Sequence, residues 1–90
     1  MKIDEKILER DFKALANRRR LAILRLLKRQ KCAAVGEIAG DIKLSFKATS
    51  KHLNILCVAG LVDKEQQSLG VQYFLKDGLR EPLRTVINSL

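Results

Sequence analysis

The sequence predicts a mainly helical fold with one small β-hairpin, in the order α-α-α-α-β-β-α, and three observations carry that prediction. Apolar residues recur at three- and four-residue spacings through most of the 90 residues, two-residue alternation is confined to one late stretch, and Asn17, Ser45 and Gly60 punctuate the boundaries. Hydrophobic residues make up 47% but aromatics only 4%, with no tryptophan, so the core must be aliphatic. A chain this short is one domain, residues 1–90, and buries only about 60–65% of the surface its unfolded form exposes. Apolar helical faces at its two ends are better covered by a second copy, and a homodimer is expected.

Each element follows from its local pattern. Ile3, Ile7, Leu8, Phe12 and Leu15 form one stripe of a first helix over 3–16, with Asp4 and Glu5 in the opening turn, where the helix dipole favours anions. Asn17 caps a second helix running to about Lys28, in which Leu21, Ile23, Leu24, Leu26 and Leu27 cover most of the circumference. That helix is therefore central. Arg18, Arg25 and Arg29 share its narrow remaining face with Ala22, whereas Arg20 points into the apolar arc and reads as structural, bonding carbonyls or a carboxylate. Ile38, Ala39 and Ile42 mark a short third helix from Val35 to Ile42. After Lys43 and Leu44, Ser45 caps a fourth helix to about Ala59, stopped by Gly60. Leu61 and Val62 open a strand, residues 66–70 form a polar turn, and Val71, Tyr73 and Leu75 alternate with Gln72 and Phe74 in a second strand. Leu79, Leu83, Val86, Ile87 and Leu90 mark a last helix, with Pro82 in its first turn or kinking it.

The distribution of charge points to a partner. The 18 Lys and Arg exceed the 10 Asp and Glu by +8, and residues 17–60 hold that whole excess, since both flanking segments are neutral. A solubilising charge would be spread out; a concentrated one attracts a polyanion, most commonly nucleic acid. Within that stretch, two short helices joined by the turn 43–45 form a helix-turn-helix. On the wheel of its second helix, Lys47, Ser50, Lys51 and Asn54 occupy one arc free of acidic residues, opposite Ala48, Leu53, Ile55, Leu56 and Ala59. A major groove admits one α-helix, and these side chains bond phosphates or base edges. Lys47, Ser50, Lys51 and Asn54 are therefore the candidate contacts to double-stranded DNA. Ser45 at the helix start and Thr49, which lies beside the apolar side of the wheel, complete the set on this helix. Arg18, Arg25 and Arg29 are candidate backbone contacts.

FKALAN at 12–17, RLAIL at 20–24, EIA at 37–39, LS at 44–45, ATSKHL at 48–53, AGLV at 59–62 and Tyr73 form an ordered set that covers nearly the whole chain. Through these motifs the sequence resembles the ArsR/SmtB family of winged-helix transcriptional repressors. The resemblance implies a winged helix-turn-helix fold, a homodimer formed by the first and last helices, recognition of a palindromic operator through Ser45 to Asn54, a hairpin wing beside the groove, and repression. Three positions depart from the family pattern. Metal-responsive members place thiolates near the start of the third helix, where this chain has Ala34, Val35 and Gly36, which offer no ligand; Cys32 comes two residues too early. No histidine follows His52, so no family-type metal site and no cofactor are expected. The wing tip, 66–70, is uncharged where members carry Arg or Lys, and Lys43 stands in a turn position that favours Gly or Asn at φ > 0.

Other chemistry is thinly represented. Cys32 and Cys57 match no zinc spacing and read as reduced thiols; oxidation of either would disturb DNA docking, with Lys31 and Arg29 beside Cys32 favouring its thiolate. His52 has no acid or nucleophile partner at a useful spacing and reads as structural. Without a phosphate loop, nucleophile elbow or paired carboxylates, an enzyme is not expected. No apolar run approaches a membrane span and the opening residues are charged and amphipathic, so a cytoplasmic protein with no membrane partner is expected. Two alternatives remain open on sequence: a winged-helix module binding an acidic protein, and a thiol-responsive sensor using Cys32 and Cys57. The sequence carries no sign of the effector.

Overall fold

The computed structural model describes residues 4–90; Ile3, expected on the first helical stripe, lies outside them. The chain runs α1 (Glu5–Leu15), α2 (Arg18–Gln30), β1 (Cys32–Ala33), α3 (Val35–Ile42), α4 (Phe46–Val58), β2 (Val62–Gln67), β3 (Gly70–Leu75) and α5 (Leu83–Ser89). Asp4 and Asn17 cap α1 and α2 by accepting N–H groups of the first turn, as the sequence predicts for Asn17. Ile23, Leu24, Leu26 and Leu27 of α2 are buried, and α2 packs against every other helix as well as β1 and β3. Around it gather Ile38, Ile42, Leu53, Leu56, Leu61, Val62, Leu83 and Ile87, an aliphatic core.

The hairpin is longer and its turn tighter than the sequence suggests. β2 and β3 pair antiparallel from Val62 opposite Leu75 to Gln67 opposite Gly70, leaving only Ser68 and Leu69 unpaired at the tip. Gly70 turns the chain at φ +110, a conformation that side chains rarely adopt. The sheet has a third strand that the sequence does not reveal: Cys32 pairs with Phe74 and Ala33 with Tyr73, giving the order β1-β3-β2. Two residues are too few for an alternating pattern, and β1 exists only because β3 offers a free edge.

Two further differences concern the ends of the chain. Only part of the apolar stripe of α1 is buried: Leu15 lies in the core beside Asp11 and Ala14, whereas Ile7 and Phe12 remain 41% and 49% exposed. Periodicity locates an apolar stripe but not what lies opposite it. At the other end, α5 begins at Leu83, directly after Pro82, so residues 79–82 are non-helical. This segment is tied down instead by Arg80, which donates to Asp11 Oδ2 while Arg10 donates to Oδ1 at 3.3 Å. A buried carboxylate is tolerated only when paired, and two guanidiniums supply that pairing.

Candidate nucleic-acid interface

The local chemistry of residues 42–48 sets the angle between α3 and α4. Lys43 adopts φ 56, ψ 52, the left-handed conformation its position demands, at a cost of about 1 kcal/mol for a residue with a Cβ. The Lys43 N–H returns to the Ala39 carbonyl, as does the Leu44 N–H at 3.0 Å, closing α3. Ser45 is extended, and its Oγ accepts the Ala48 N–H at 3.1 Å, opening α4. At the far end Gly60, at φ +78, lets the Leu61 N–H reach the Leu56 carbonyl and ends α4. Leu53 and Leu56 anchor α4 to the core.

This anchoring decides which side chains face outward. Lys47, Lys51 and Asn54 are exposed and Ser50 partly so, and among the described residues none of the four has a side-chain hydrogen bond or ion pair. Successive positions four apart lie on one side of a helix. Ser50 and Asn54 therefore follow Phe46 in one row, beside a parallel row of Lys47 and Lys51. With Ile55 they line a shallow concavity. α4 contains no acidic residue. Ser45 is exposed; its oxygen is used by the cap, but its O–H can still donate.

Thr49 does not belong to this face. It is fully buried on the core side of α4, its Oγ1 without a hydrogen-bond partner among the described residues, so it cannot reach a groove. Conversely, Phe46 is 63% exposed at the first position of α4. Its signal in the sequence is an aromatic one turn before Ser50, on the polar side of the wheel, which the spacing of polar side chains alone does not reveal.

The arginines of α2 divide. Arg18 and Arg25 are exposed with no side-chain bond among the described residues, while Arg29 lies 3.8 Å from Asp41 across to α3. Arg19 donates to the Ile42 carbonyl at the end of α3, beside the turn. Arg20 has the structural role its place on the wheel suggests: it donates to the carbonyls of Ala14 and Lys13, at 2.6 and 2.8 Å, and lies 3.2 Å from His52 Nδ1. A guanidinium only donates, so Nδ1 is the acceptor. Burial, then the charges of Arg20 and Arg19, push the His52 pKa below its ordinary 6.5 and keep the ring neutral. Arg20 thus links α1, α2 and α4, with His52 as its neutral acceptor on α4.

The wing carries little charge. Lys64 and the acidic Asp63 and Glu65 lie low on β2, and the tip is Ser68 and Leu69, the latter 91% exposed. Cys32 is exposed on β1 and Cys57 is half-buried on α4, where burial pushes its thiol up, away from the reactive thiolate. At the start of α3, Ala34 has no side-chain acceptor, and the Glu37 carboxylate accepts the Ala34 N–H at 3.1 Å. Among the described residues no three His, Cys, Asp or Glu side chains are grouped to hold a metal ion, and no helix is long and apolar enough to cross a membrane.

Comparison with known proteins accords with this geometry. The family model for bacterial regulatory proteins of the arsR family matches residues 17–64, from the cap of α2 into β2. The cadmium resistance transcriptional regulatory proteins CadC of Listeria innocua and Lactococcus lactis are each 38% identical over 66 residues, 73% of this chain and 56% of theirs. The chain thus spans little more than half the length of these curated relatives. Among solved structures, HlyU from Vibrio cholerae superposes with a TM-score of 0.79 at 31% identity, covering 99% of this chain and 92% of HlyU. A homodimeric winged helix-turn-helix DNA-binding domain from Mycobacterium bovis gives 0.77 at 30% identity, covering 98% and 83%. The two CadC proteins are by name transcriptional regulatory proteins, and the matching family model is one of bacterial regulatory proteins. With α3 and α4 as the helix-turn-helix and β2 and β3 as the wing, the chain belongs to the ArsR family of bacterial regulatory proteins.

Proposed function

We propose that this chain is a homodimeric, sequence-specific DNA-binding repressor of the cytoplasm, inserting one α4 per subunit into successive major grooves of an imperfect palindrome. The observation that carries the reading is the exposed, acid-free face of α4, whose Lys47, Ser50, Lys51 and Asn54 are left without partners among the described residues. Asn54 reads adenine through its paired donor and acceptor, and Lys47 and Lys51 meet phosphate or guanine. Ser45, at the start of α4, donates to a backbone phosphate, and Arg18, Arg25 and, once released from Asp41, Arg29 touch the backbone beyond it. Half-sites then lie about one helical turn apart.

The dimer is supported by the exposed Ile7 and Phe12 of α1, which the chain's own core leaves uncovered, and by the homodimeric M. bovis domain. CadC is by name a cadmium resistance regulator; here Ala34 and Gly36 supply no thiolate, so cadmium sensing does not carry over to this chain. The test is selection of binding sites from random duplexes, followed by anisotropy titration and sedimentation. We expect an enriched two-fold motif bound by two subunits, with affinity falling steeply with salt. A protein that enriches no motif, or that prefers no duplex over random competitor, overturns the proposal. Phe12→Asp should yield monomers that bind the same site far more weakly.

A further inference from the structure

We propose that Phe46 reads the C5-methyl group of a thymine in each half-site, a sequence preference that the polar residues of α4 cannot supply; this rests on the DNA-binding reading above. Phe46 is one of only three phenylalanines in the chain, and it stands 63% exposed, at the first turn of the helix. Ser45 is extended, so the chain enters the helix at Phe46 and the ring sits at its leading end. N-terminal residues of a recognition helix are those that meet base edges.

The neighbours of the ring identify its partner. Ser50 and Asn54 continue its row, Lys47 and Lys51 run alongside, and no carboxylate interrupts α4. A surface that complements cations, an amide and a phenyl ring together must offer phosphates, base edges and an apolar group. The major groove offers all three, and its only apolar group is the thymine methyl. An acidic protein partner would match the lysines but leave the ring to meet charged side chains.

The experiment starts from the duplex the wild type selects and replaces each thymine in turn by deoxyuridine, which pairs identically but lacks the methyl. Removing one methyl from an apolar contact should weaken wild-type binding about fourfold, and both half-sites together about fifteenfold. Phe46→Ala should bind the thymine duplex more weakly by a similar factor and no longer distinguish thymine from uracil, while melting at the wild-type temperature because the ring is largely exposed. Phe46→Leu should retain part of the discrimination. The proposal is overturned if the wild type is indifferent to every replacement, if it selects sites without thymine, or if Phe46→Ala still discriminates. In those cases a motif has still been enriched and the DNA-binding reading stands; enrichment of no motif overturns both.

Discussion

Helices α2 and α4 each have 13 residues and both lie in the basic middle of the chain, yet they use their cations differently. On α2, Arg19 binds the Ile42 carbonyl, Arg20 binds two carbonyls of α1 and faces His52, Lys28 donates to the Asn88 carbonyl at 3.1 Å, and Arg29 approaches Asp41. On α4, Lys47 and Lys51 bind nothing among the described residues. The helix richer in positive charge therefore commits most of it to bonds within the domain, and the poorer one leaves its lysines exposed. An internally bonded guanidinium must first be released before it can meet a phosphate, and that release costs the bonds it makes. Available charge, not its total, is what places the proposed interface on α4.

The largest effect that tests this contrast is on DNA affinity. Lys47→Ala with Lys51→Ala removes four cations from a dimer, and the slope of log affinity against log salt should fall by about 3.6 if all four meet phosphate. Arg18→Ala or Arg25→Ala should lower the slope by only about one for each phosphate left without its cation. A slope unchanged by the double lysine variant breaks the contrast, and slopes unchanged by Arg18→Ala and Arg25→Ala confine the interface to α4.

Smaller effects should appear in stability. Arg20→Ala removes bonds to the end of α1 and to His52, and should cost about 2 kcal/mol in urea denaturation. Arg25→Ala, whose side chain bonds nothing among the described residues, should stay within about 0.5 kcal/mol. Equal losses at the two positions would deny that α2 contains two classes of arginine.

The smallest effect is that of pH. Because the folded protein holds the His52 pKa below 6.5, the unfolded chain takes up the proton first as pH falls. His52 therefore leaves stability intact above about pH 6.5, lowers it as pH drops from 6.5 towards the depressed folded value, and adds no further change below that. Urea midpoints measured from about pH 8 to about pH 5.5 should decline more in the wild type than in His52→Gln. Parallel curves would mean that the ring is not held neutral by its arginine neighbours.

Much of the recognition unit was legible in sequence because it is built locally. Ser45 as a cap and Gly60 as a stop follow from the backbone needs of adjacent residues, while the left-handed turn residue at Lys43 was implied by the family resemblance. The acid-free arc was equally plain, since a wheel needs only spacing. Thr49 shows where a wheel is too coarse: it lies at the border of two arcs, and packing of α4 onto the core draws it fully inside. Phe46 shows the converse, an apolar residue that the fold leaves largely exposed at the first turn of α4.

From its own order of residues the chain determined five helices, a hairpin, an aliphatic core and a basic middle, because capping, periodicity and charge act between near neighbours in sequence. Only the tertiary structure decided that Cys32 and Ala33 join the sheet, that Asp11 is buried between Arg10 and Arg80, and that Ile7 and Phe12 face outward. It also decided which arginines are without a bond among the described residues. Each of those outcomes depends on what a distant segment places opposite a side chain, and spacing along one helix or strand carries no information about that.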